Sequence, residues 1–431
     1  MKILVLGGYG LIGSAVVARL VAEGHDVAGL GRDVGKARLA VPAVRWITAD
    51  MARLDQPERW LPLLAGFDAV VNAAGALQDG ARDDLEAIHH RSVAALVSAC
   101  RTAGVRRLVQ ISAVGADPAS PDAFFRTKAA GDAAVAGSQL EWTILRPGLV
   151  IAPAAYGGTA LLRALASFPC FVPAVLADRP IQTVSVDDVA DAVARSLLGT
   201  VPAGVAYDLV EDRARPLGSL LAAFRGWLGL PAARIVAMPP ALGRVSGAAA
   251  DALGRLGWRS PLRSAALSAL ERGVTGDPAP WRAAAGRSLR PLEATLAAMP
   301  STVQERWFAR LWLLKPVIFG CLSIFWIVSG AIGFARLEQA AEVLTSRGFG
   351  DGFARLAVLA GALADAAVGV AVLVRRWARA ALLAMIAVSV AYLAAATFAA
   401  PDLWLDPLGP LVKVLPGLCL ILVVLAILDE R

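Results

Sequence analysis

The sequence predicts an α/β domain with a doubly wound parallel sheet, followed by an all-α bundle of four transmembrane helices. Short apolar strands alternate with helix-length segments over residues 1–215, which is typical of βαβ units and a parallel sheet. Four long apolar runs follow residue 305. Hydrophobic residues make up 57% of the 431 residues and charged residues only 18%, which is too apolar for an ordinary soluble protein.

The α/β part begins with six candidate strands, at residues 2–6, 26–30, 44–48, 69–72, 107–111 and 142–145. Amphipathic helices connect them, and two of these end at Gly24 and Gly104, since glycine favours the conformation that closes a helix. Residues 182–186 and 187–198 continue the pattern as a strand and a helix. We therefore predict a first domain over residues 1–215.

A basic, helix-forming segment follows over residues 216–304. Between Pro216 and Pro300, ten arginines stand against four acidic residues, so this stretch carries +6 of the net charge of +7. It precedes the first apolar run, where anionic lipid headgroups would attract it, although a solvated surface explains the charge equally well. We interpret it as a cap or juxtamembrane region with membrane lipids as its partner, and we expect no nucleic acid.

The last part, residues 305–431, contains apolar runs at about 311–334, 354–374, 378–399 and 408–428. Each matches the ~20 helical residues that cross a hydrocarbon core of roughly 30 Å. Arginines cluster before the first run and again at residues 375–379, and positive loops favour the cytoplasmic side. No signal peptide is recognised. We expect a multi-pass protein of the inner (cytoplasmic) membrane, with the N-terminal domain and the C-terminus cytoplasmic.

The loop after the first strand reads GGYGLIG. Gly7 permits a tight turn, Gly10 lets the backbone approach a pyrophosphate, and Gly13 lets the next helix pack close to the sheet. That helix begins near Leu11 and Ile12, so its free N–H groups and its positive dipole end would face phosphates. The pattern lies between a strand and a helix, and it therefore predicts a dinucleotide-binding domain of the Rossmann type.

The second strand leads into Arg32 and carries no acidic residue at its tip. An NAD site usually has Asp or Glu there to bind the ribose 2′-OH, whereas an arginine can pair with the 2′-phosphate of NADP. The sequence therefore favours NADP(H) over NAD(H). The four cysteines and three histidines show no spacing typical of a metal site, so no metal is expected.

Further motifs follow the later strands, namely Asp50 after the third, Asn72, Ala73, Ala74 and Gly75 after the fourth, Ser112 after the fifth and Pro147 after the sixth. With these motifs, residues 1–215 resemble the short-chain dehydrogenase/reductase superfamily, in its extended or atypical branch. The resemblance implies that Asp50 contacts the adenine, that the Ala-Ala-Gly segment lines the cofactor, and that Pro147 lies near the nicotinamide.

The same resemblance identifies candidate catalytic residues and one departure. The catalytic set of that superfamily is a serine with Tyr-x-x-x-Lys, which Ser112 and Lys128 match, but Phe124 occupies the tyrosine position. A phenol donates the proton in carbonyl reduction, and phenylalanine has none to give. Lys128 can still hold the nicotinamide ribose. The same loss occurs in NmrA-like regulators and in the dehydrogenase-like accessory subunit of respiratory complex I, where cofactor binding serves sensing or structure.

The membrane part resembles the DoxX-like four-helix family, through Ser329-Gly330 in the first run, Asp365 in the second and the Pro-Leu-Val-Lys motif that ends at Lys413. Relatives of that family are linked to quinone-coupled oxidoreductases, which implies a quinone as a candidate partner. A charge near mid-membrane costs at least ~2.5 kcal/mol unless it is paired, so we expect Asp365 to pair with Lys413. The pair is interpreted either as a proton or ligand site or as a structural contact between helices.

Two functions remain compatible with the sequence. The first is a membrane-anchored, NAD(P)H-dependent oxidoreductase or isomerase that acts on a lipophilic substrate or a quinone. The second is a non-catalytic NADP(H) redox sensor or scaffold that is coupled to a membrane protein partner. Phe124 favours the second function, whereas Ser112, Lys128 and the intact glycine turn favour the first, which we adopt as the working hypothesis.

Overall fold

The computed structural model describes residues 1–80, 83–258 and 260–429, with the backbone alone at Lys36 and Ala265. The chain divides into two compact units. The first contains Met1–Asp251 and Ser260–Ala309, and the second contains residues 252–258 and 310–429. The basic segment predicted as a cap therefore belongs mostly to the same compact unit as residues 1–215.

The strands, in chain order, are β1 (Lys2–Leu6), β2 (Asp26–Gly31), β3 (Arg45–Thr48), β4 (Ala69–Asn72), β5 (Arg107–Ile111), β6 (Glu141–Pro147), β7 (Leu149–Ile151), β8 (Val172–Ala174), β9 (Pro180–Ile181), β10 (Thr183–Ser185), β11 (Val205–Leu209), β12 (Arg215–Pro216) and β13 (Ile235–Ala237). The helices up to the membrane part are α1 (Leu11–Ala22), α2 (Gly35–Ala40), α3 (Pro57–Leu64), α4 (Ser92–Ala103), α5 (Ala123–Ala136), α6 (Gly157–Ala166), α7 (Val186–Leu198), α8 (Leu217–Trp227), α9 (Pro240–Arg255), α10 (Ser264–Arg272), α11 (Ala279–Ala285) and α12 (Leu292–Ala297). A π-helical turn, Ala87–Arg91, leads into α4.

Seven of these strands form one parallel sheet in the order β11-β6-β5-β4-β1-β2-β3. This confirms the predicted α/β class. The order reverses between β1 and β4, and in open α/β sheets ligands bind in the crevice at such a switch point, outside the carboxyl ends of the strands. The loops after β1 and β4 therefore define where a ligand site should be sought.

The sheet is buried on both faces, as β1 illustrates. Ile3 and Val5 belong to one hydrophobic cluster, whereas Leu4 and Leu6 belong to another on the opposite face. Successive side chains of a strand point to opposite faces, so a continuous apolar run is what a doubly covered parallel strand requires. Helices α1 and α7 contribute to the first cluster, and α3 and α4 to the second.

A third cluster lies outside the main sheet and includes much of the basic segment. Leu220, Leu221 and Phe224 of α8 are fully buried there. Trp281 of α11 instead belongs to the first cluster, where it is 1% exposed and packs edge-on against Tyr207 of β11, with ring centroids 5.6 Å apart. The arginine-rich stretch thus buries its apolar residues against the α/β fold.

The second unit is helical, with α13 (Val303–Ala335), α14 (Leu337–Thr345), α15 (Asp351–Ala371), α16 (Ala378–Ala399) and α17 (Val414–Ala426), of which α13 starts in the first unit. Within the described residues, three helices are long and apolar enough to cross a membrane, namely α13, α15 and α16. The fourth predicted run contains the shorter apolar helix α17, and the number of spans stays a prediction. Helix α17 has 13 residues, or about 20 Å at 1.5 Å per residue, because the preceding stretch contains Pro407, Pro410 and a left-handed Gly409.

The long helices approach one another through small residues. A Cβ on Gly330 of α13 would stand 2.6 Å from the carbonyl oxygen of Ala362 in α15. Close backbone approach at glycine is typical of helix packing in membranes. Residues 252–258 belong to this unit, where the Trp258 indole N–H donates to the Leu373 carbonyl oxygen at 2.6 Å and the ring packs on Phe319.

Candidate functional site

The glycine turn lies between β1 and α1. Gly7 has φ +68°, and a Cβ there would stand 2.8 Å from the Ala74 Cα, in the loop after β4. A Cβ on Gly13 would overlap the Gly7 carbonyl oxygen. No side chain caps α1, which begins at Leu11 after Gly10, so the N–H groups of its first turn are left for a ligand. This backbone fits a diphosphate.

The loop after β4 brings the predicted segment of Ala73, Ala74 and Gly75 to the same crevice. Asn72 fixes its start, because the Asn72 Oδ1 accepts the Ala74 N–H at 3.2 Å and the Nδ2 donates to Gln110 Oε1 at 2.8 Å. The two loops that the sequence predicted to line a dinucleotide therefore meet at the switch point of the sheet.

Two predicted adenine-end residues lie beyond β2 and β3. The Asp50 Oδ1 accepts the Ala52 N–H at 3.2 Å, which caps a short 3-10 helix. Arg32 follows β2, and its Nη2 donates to Asp83 Oδ1 at 2.6 Å. Arg32 therefore stands where sequence reasoning expected a 2′-phosphate ligand, and its guanidinium is engaged by a carboxylate within the chain.

Lys128 projects from α5 toward the crevice. Its Nζ donates to the Ile111 carbonyl oxygen at 3.0 Å, and a Cβ on Gly75 would stand 3.3 Å from the same Nζ. The side chain is buried, which lowers the pKa of the Lys128 ammonium to about 8, while the negative charge of Asp132 acts in the opposite direction. Lys128 thus lies beside the Gly75 loop, and its side chain changes from charged to neutral as the pH rises through about 8.

Ser112 follows β5 and is tied to the same helix. Its Oγ donates to Asp132 Oδ2 at 2.8 Å, and Arg146 of β6 donates from Nε to that oxygen at 3.1 Å. Asp132 is 3% exposed. Burial raises the pKa of the Asp132 carboxyl, and the Ser112 hydrogen bond and the Arg146 charge oppose that rise. Ser112 and Lys128 therefore both lie at the end of β5, where Ser112 donates to Asp132 and Lys128 donates to the Ile111 carbonyl oxygen.

Phe124 is half-buried and packs on two rings. His89 lies edge-on at 5.6 Å between centroids, and Phe125 at 5.1 Å. His89 accepts the Ala76 N–H on Nε2 at 3.2 Å, so its proton lies on Nδ1, 3.0 Å from Thr127 Oγ1. Burial, followed by the Lys128 charge, lowers the pKa of His89 to about 2, so the ring is neutral. Phe124 therefore occupies an apolar, aromatic surrounding at the position where a phenol would stand.

Sequence reasoning missed Asp132, Arg146 and His89 as site residues. Asp132 follows Lys128 by four positions on α5, which places both side chains on one face of the helix, and this spacing was a usable signal. Arg146 directly precedes Pro147, which was named as a cofactor-lining residue, at the end of β6. For His89 the sequence offered no signal, because its partners lie on other elements.

The structure assigns Asp365 other partners than the predicted Lys413. Asp365 is 6% exposed, and its two carboxylate oxygens accept hydrogen bonds from Ser329 Oγ at 2.7 Å and from the Tyr392 hydroxyl at 3.0 Å. Lys413 is exposed just before α17, and in the described part of the chain it forms no ion pair with Asp365. The predicted pair is therefore corrected, because two hydroxyls supply the hydrogen bonds that the buried carboxyl requires.

Comparison with known families agrees with this division of the chain. Residues 7–198 match an NAD(P)H-binding family, and residues 323–422 match the DoxX-like family. The crevice at the switch point lies within the first match, and Ser329, Asp365 and Tyr392 lie within the second.

Curated relatives match only the N-terminal part. The chain is 33% identical over 147 residues to the NAD(P)H azoreductase of Xenophilus azovorans, which covers 34% of this chain and 47% of the relative. It is 38% identical over 116 residues to the 2-alkyl-3-oxoalkanoate reductase of Stenotrophomonas maltophilia, covering 26% and 33%. The chain thus spans less than half of the length of either relative.

Solved structures share the fold. The NADPH-dependent quinone oxidoreductase QOR2 of Escherichia coli, complexed with NADPH, superposes with a TM-score of 0.53 at 20% identity, covering 68% of this chain and 98% of that protein. The Bordetella bronchiseptica enzyme WbmG, in complex with NAD, gives a TM-score of 0.51 at 19% identity, covering 69% and 92%.

Proposed function

We propose that this chain, which joins an NAD(P)H-binding domain homologous to short-chain dehydrogenase/reductase-type reductases to a DoxX-like membrane domain, is a reductase for a lipophilic acceptor of the quinone class. The observation that supports the proposal is Phe124, which takes the tyrosine position of the motif that Ser112 and Lys128 match and packs on His89 and Phe125. The site has the parts for holding a hydride donor but lacks the phenol that ordinary ketone reduction requires.

The chemistry of the acceptor explains why the phenol is dispensable. Hydride addition to a ketone gives an alkoxide, which is a strong base and needs a proton in the transition state. Hydride addition to a quinone gives the anion of a hydroquinone, which is a phenolate and thus a weak base, since a phenol such as tyrosine has a pKa of about 10. A site without a strong proton donor therefore suits a quinone better than a ketone.

The membrane part supports a lipophilic acceptor. Helices α13, α15 and α16 are long and apolar enough to span a bilayer, and they leave large apolar side chains exposed, among them Val317, Ile324 and Leu356 at 64%, 65% and 65%. Exposed apolar surface of this extent is stable in lipid rather than in water. Attachment to the bilayer would keep the reductase domain close to substrates that partition there. The quinone oxidoreductase named above shares the fold of the first unit.

We assign the roles of the chain's own residues as follows. The first turn of α1 and the Gly7 loop would hold the diphosphate, and the Ala73 to Gly75 loop would line the nicotinamide end. Lys128 would place its positive charge beside the ribose, and Ser112 would contact the acceptor. NAD(P)H, when bound, supplies the hydride. Arg32 would bind the 2′-phosphate of NADP(H). To do so, its guanidinium would give up the hydrogen bond that it donates to Asp83 in this structure.

The experiment uses the full chain in membrane vesicles. We expect steady NADPH oxidation with a short-chain ubiquinone analogue and much slower oxidation with a ketone of similar size. The matched control is Gly13→Val, whose side chain would overlap the Gly7 carbonyl oxygen and block the diphosphate site. Equal oxidation by wild type and this variant would contradict the proposal.

The second candidate function is a non-catalytic NADP(H) sensor or scaffold, which the loss of the phenol at Phe124 also favours. It predicts tight NADPH binding by the full chain without oxidation in the presence of any quinone. The same vesicle experiment, combined with a binding titration, separates the two functions.

We further propose that the arginine loop at residues 375–379 faces the cytoplasm, because positively charged loops favour that side. The test replaces Cys170, Cys321 and Cys419 with serine and introduces Arg376→Cys. A membrane-impermeant thiol reagent should then label inverted vesicles and leave intact cells unlabelled, and the opposite pattern would reverse the orientation.

A further inference from the structure

Helix α9 is an exception within the basic segment, because its large apolar side chains are exposed. Leu242, Val245 and Leu253 are 46%, 67% and 39% exposed, and their spacing places them on one face of the helix. The opposite face consists of small residues, and a Cβ on Gly243 would stand 3.3 Å from Leu267 Cδ2 of α10. Helix α8 of the same segment buries its leucines and its phenylalanine. Helix α9 therefore presents an apolar stripe on its outer face.

The arginines of α9 also differ from others in the basic segment. Several of those others pair with acidic residues, namely Arg263 with Asp251, Arg282 with Asp212, Arg287 with Asp191 and Arg290 with Asp188. Arg244 and Arg255 are exposed, and neither forms an ion pair within the part of the chain that the structure describes. With about 3.6 residues per turn, both lie along one edge of the apolar stripe. This edge therefore carries positive charge that no acidic side chain balances.

The residues that follow α9 contact a loop of the helical unit. The Leu256 carbonyl oxygen accepts the Arg375 N–H at 3.0 Å, and the Arg375 guanidinium lies over the Trp258 ring, 5.5 Å from its centroid. Arg375 belongs to the loop between α15 and α16, two helices that are long and apolar enough to cross a membrane. A loop that joins two membrane spans lies at the level of the lipid headgroups, where tryptophan is also enriched. Helix α9 thus ends directly before contacts that would lie at that level.

From these observations we propose that α9 docks on an anionic lipid surface. Leu242, Val245 and Leu253 insert between the headgroups, and Arg244 and Arg255 bind lipid phosphates. An apolar stripe beside a row of cations is typical of helices that lie in a membrane interface. A solvated surface would explain the arginines but not the exposed stripe. The proposal goes beyond the reductase function, since it concerns only how the first unit binds lipid.

The first test locates α9 in the full chain. Val245→Cys carries an environment-sensitive fluorophore, in a background with serine at Cys170, Cys321 and Cys419. The vesicles contain phosphatidylcholine, phosphatidylglycerol and a lipid with a quencher near its headgroup. We expect the label at residue 245 to be quenched about twofold or more. The same label at Leu39→Cys, on α2 and 85% exposed, is the control and should stay unquenched. Equal quenching at both positions would overturn the proposal.

The second test measures the contribution of charge. One arginine beside anionic lipid favours the docked state about fivefold. Arg244→Gln and Arg255→Gln should therefore each lower the ratio of quenched to unquenched label at residue 245 by about that factor. The control is Arg287→Gln, which removes an ion pair with Asp191 instead. The ratio should also fall in vesicles of phosphatidylcholine alone. If neither the variants nor the lipid charge changes the ratio, α9 does not recognise anionic lipid and the proposal is wrong.

The same label distinguishes the other possible occupants of the stripe. If a second copy of the chain or another protein covered it, the fluorophore at residue 245 would be shielded from water but not quenched by the lipid. If water covered it, the fluorophore would show neither shielding nor quenching. Either result contradicts the proposal and leaves the proposed reductase function standing, because NADPH oxidation is measured separately.

Discussion

Lys128 lies directly behind Gly75, since a Cβ at Gly75 would stand 3.3 Å from the lysine Nζ and 3.2 Å from His89 Nε2. The loop after β4 therefore lies directly beside the buried cation. A charge so close to the dinucleotide site should influence binding in a manner that depends on pH.

We predict that NAD(P)H affinity falls as the pH rises through about 8. Burial lowers the pKa of Lys128 to about 8, so the side chain is cationic below that pH and neutral above it, and the anionic cofactor loses an attractive charge. Isothermal titration between pH 6 and pH 10 measures the effect. Lys128→Met should bind more weakly at pH 6 and lack this pH dependence, with Lys2→Met as a control. An unchanged profile in Lys128→Met would rule out this role.

Arg32 should determine the preference between the two cofactors. We predict that Arg32→Glu lowers the affinity for NADPH at least tenfold, or about 1.4 kcal/mol, relative to NADH, because it replaces a guanidinium with a charge that repels the 2′-phosphate. Paired titrations with NADPH and NADH measure the ratio of affinities. Arg59→Glu, which alters an exposed ion pair with Asp55, is the control. A constant ratio would show that Arg32 does not contact the 2′-phosphate.

Restoring a phenol should broaden the range of acceptors. We predict that Phe124→Tyr raises the reduction of a model ketone by roughly a hundredfold and alters quinone reduction little, since general acid catalysis contributes about that much. Phe125→Tyr places a phenol on the neighbouring ring and serves as the control. If both variants leave ketone reduction unchanged, the identity of residue 124 does not set the class of acceptor.

The Asp365 contacts should stabilise the helical unit. We predict that Ser329→Ala and Tyr392→Phe each destabilise it by about 0.6 kcal/mol, the average for a polar contact between membrane helices, and that Asp365→Leu costs more because it removes both hydrogen bonds. Thermal loss of helicity in detergent measures this, and Ser346→Ala, in an exposed turn, is the control. If Asp365→Asn lost activity at unchanged stability, a role in proton or ligand binding would replace the structural one.

The sequence predicted the parts of this protein that depend on local patterns. Six of the seven strands of the sheet, the glycine turn and the motif after β4 follow from apolar runs and from backbone positions that favour glycine. The parallel sheet then brings Gly7 and Ala74 together, because adjacent parallel strands end at the same edge.

Other features depended on contacts between distant residues and could not be predicted. Ser112 and Asp132 are 20 positions apart, and only the packing of α5 on β5 brings them together. The pairing of β11 with β6 was missed for the same reason. The predicted pair of Asp365 with Lys413 was wrong because the prediction considered only residues of opposite charge. Uncharged hydroxyl donors, Ser329 and Tyr392, bind the carboxylate instead.

Two separate segments of the chain belong to the helical unit. Residues 252–258 leave the α/β unit, insert Trp258 among α13 and its neighbours, and return before α13 begins. A shortened chain that stops near residue 309 would therefore carry an indole stripped of its apolar surroundings, and it should aggregate. The segments of the two units alternate along the chain. Recombination that replaced the helical unit with one from another protein would therefore also have to replace residues 252–258.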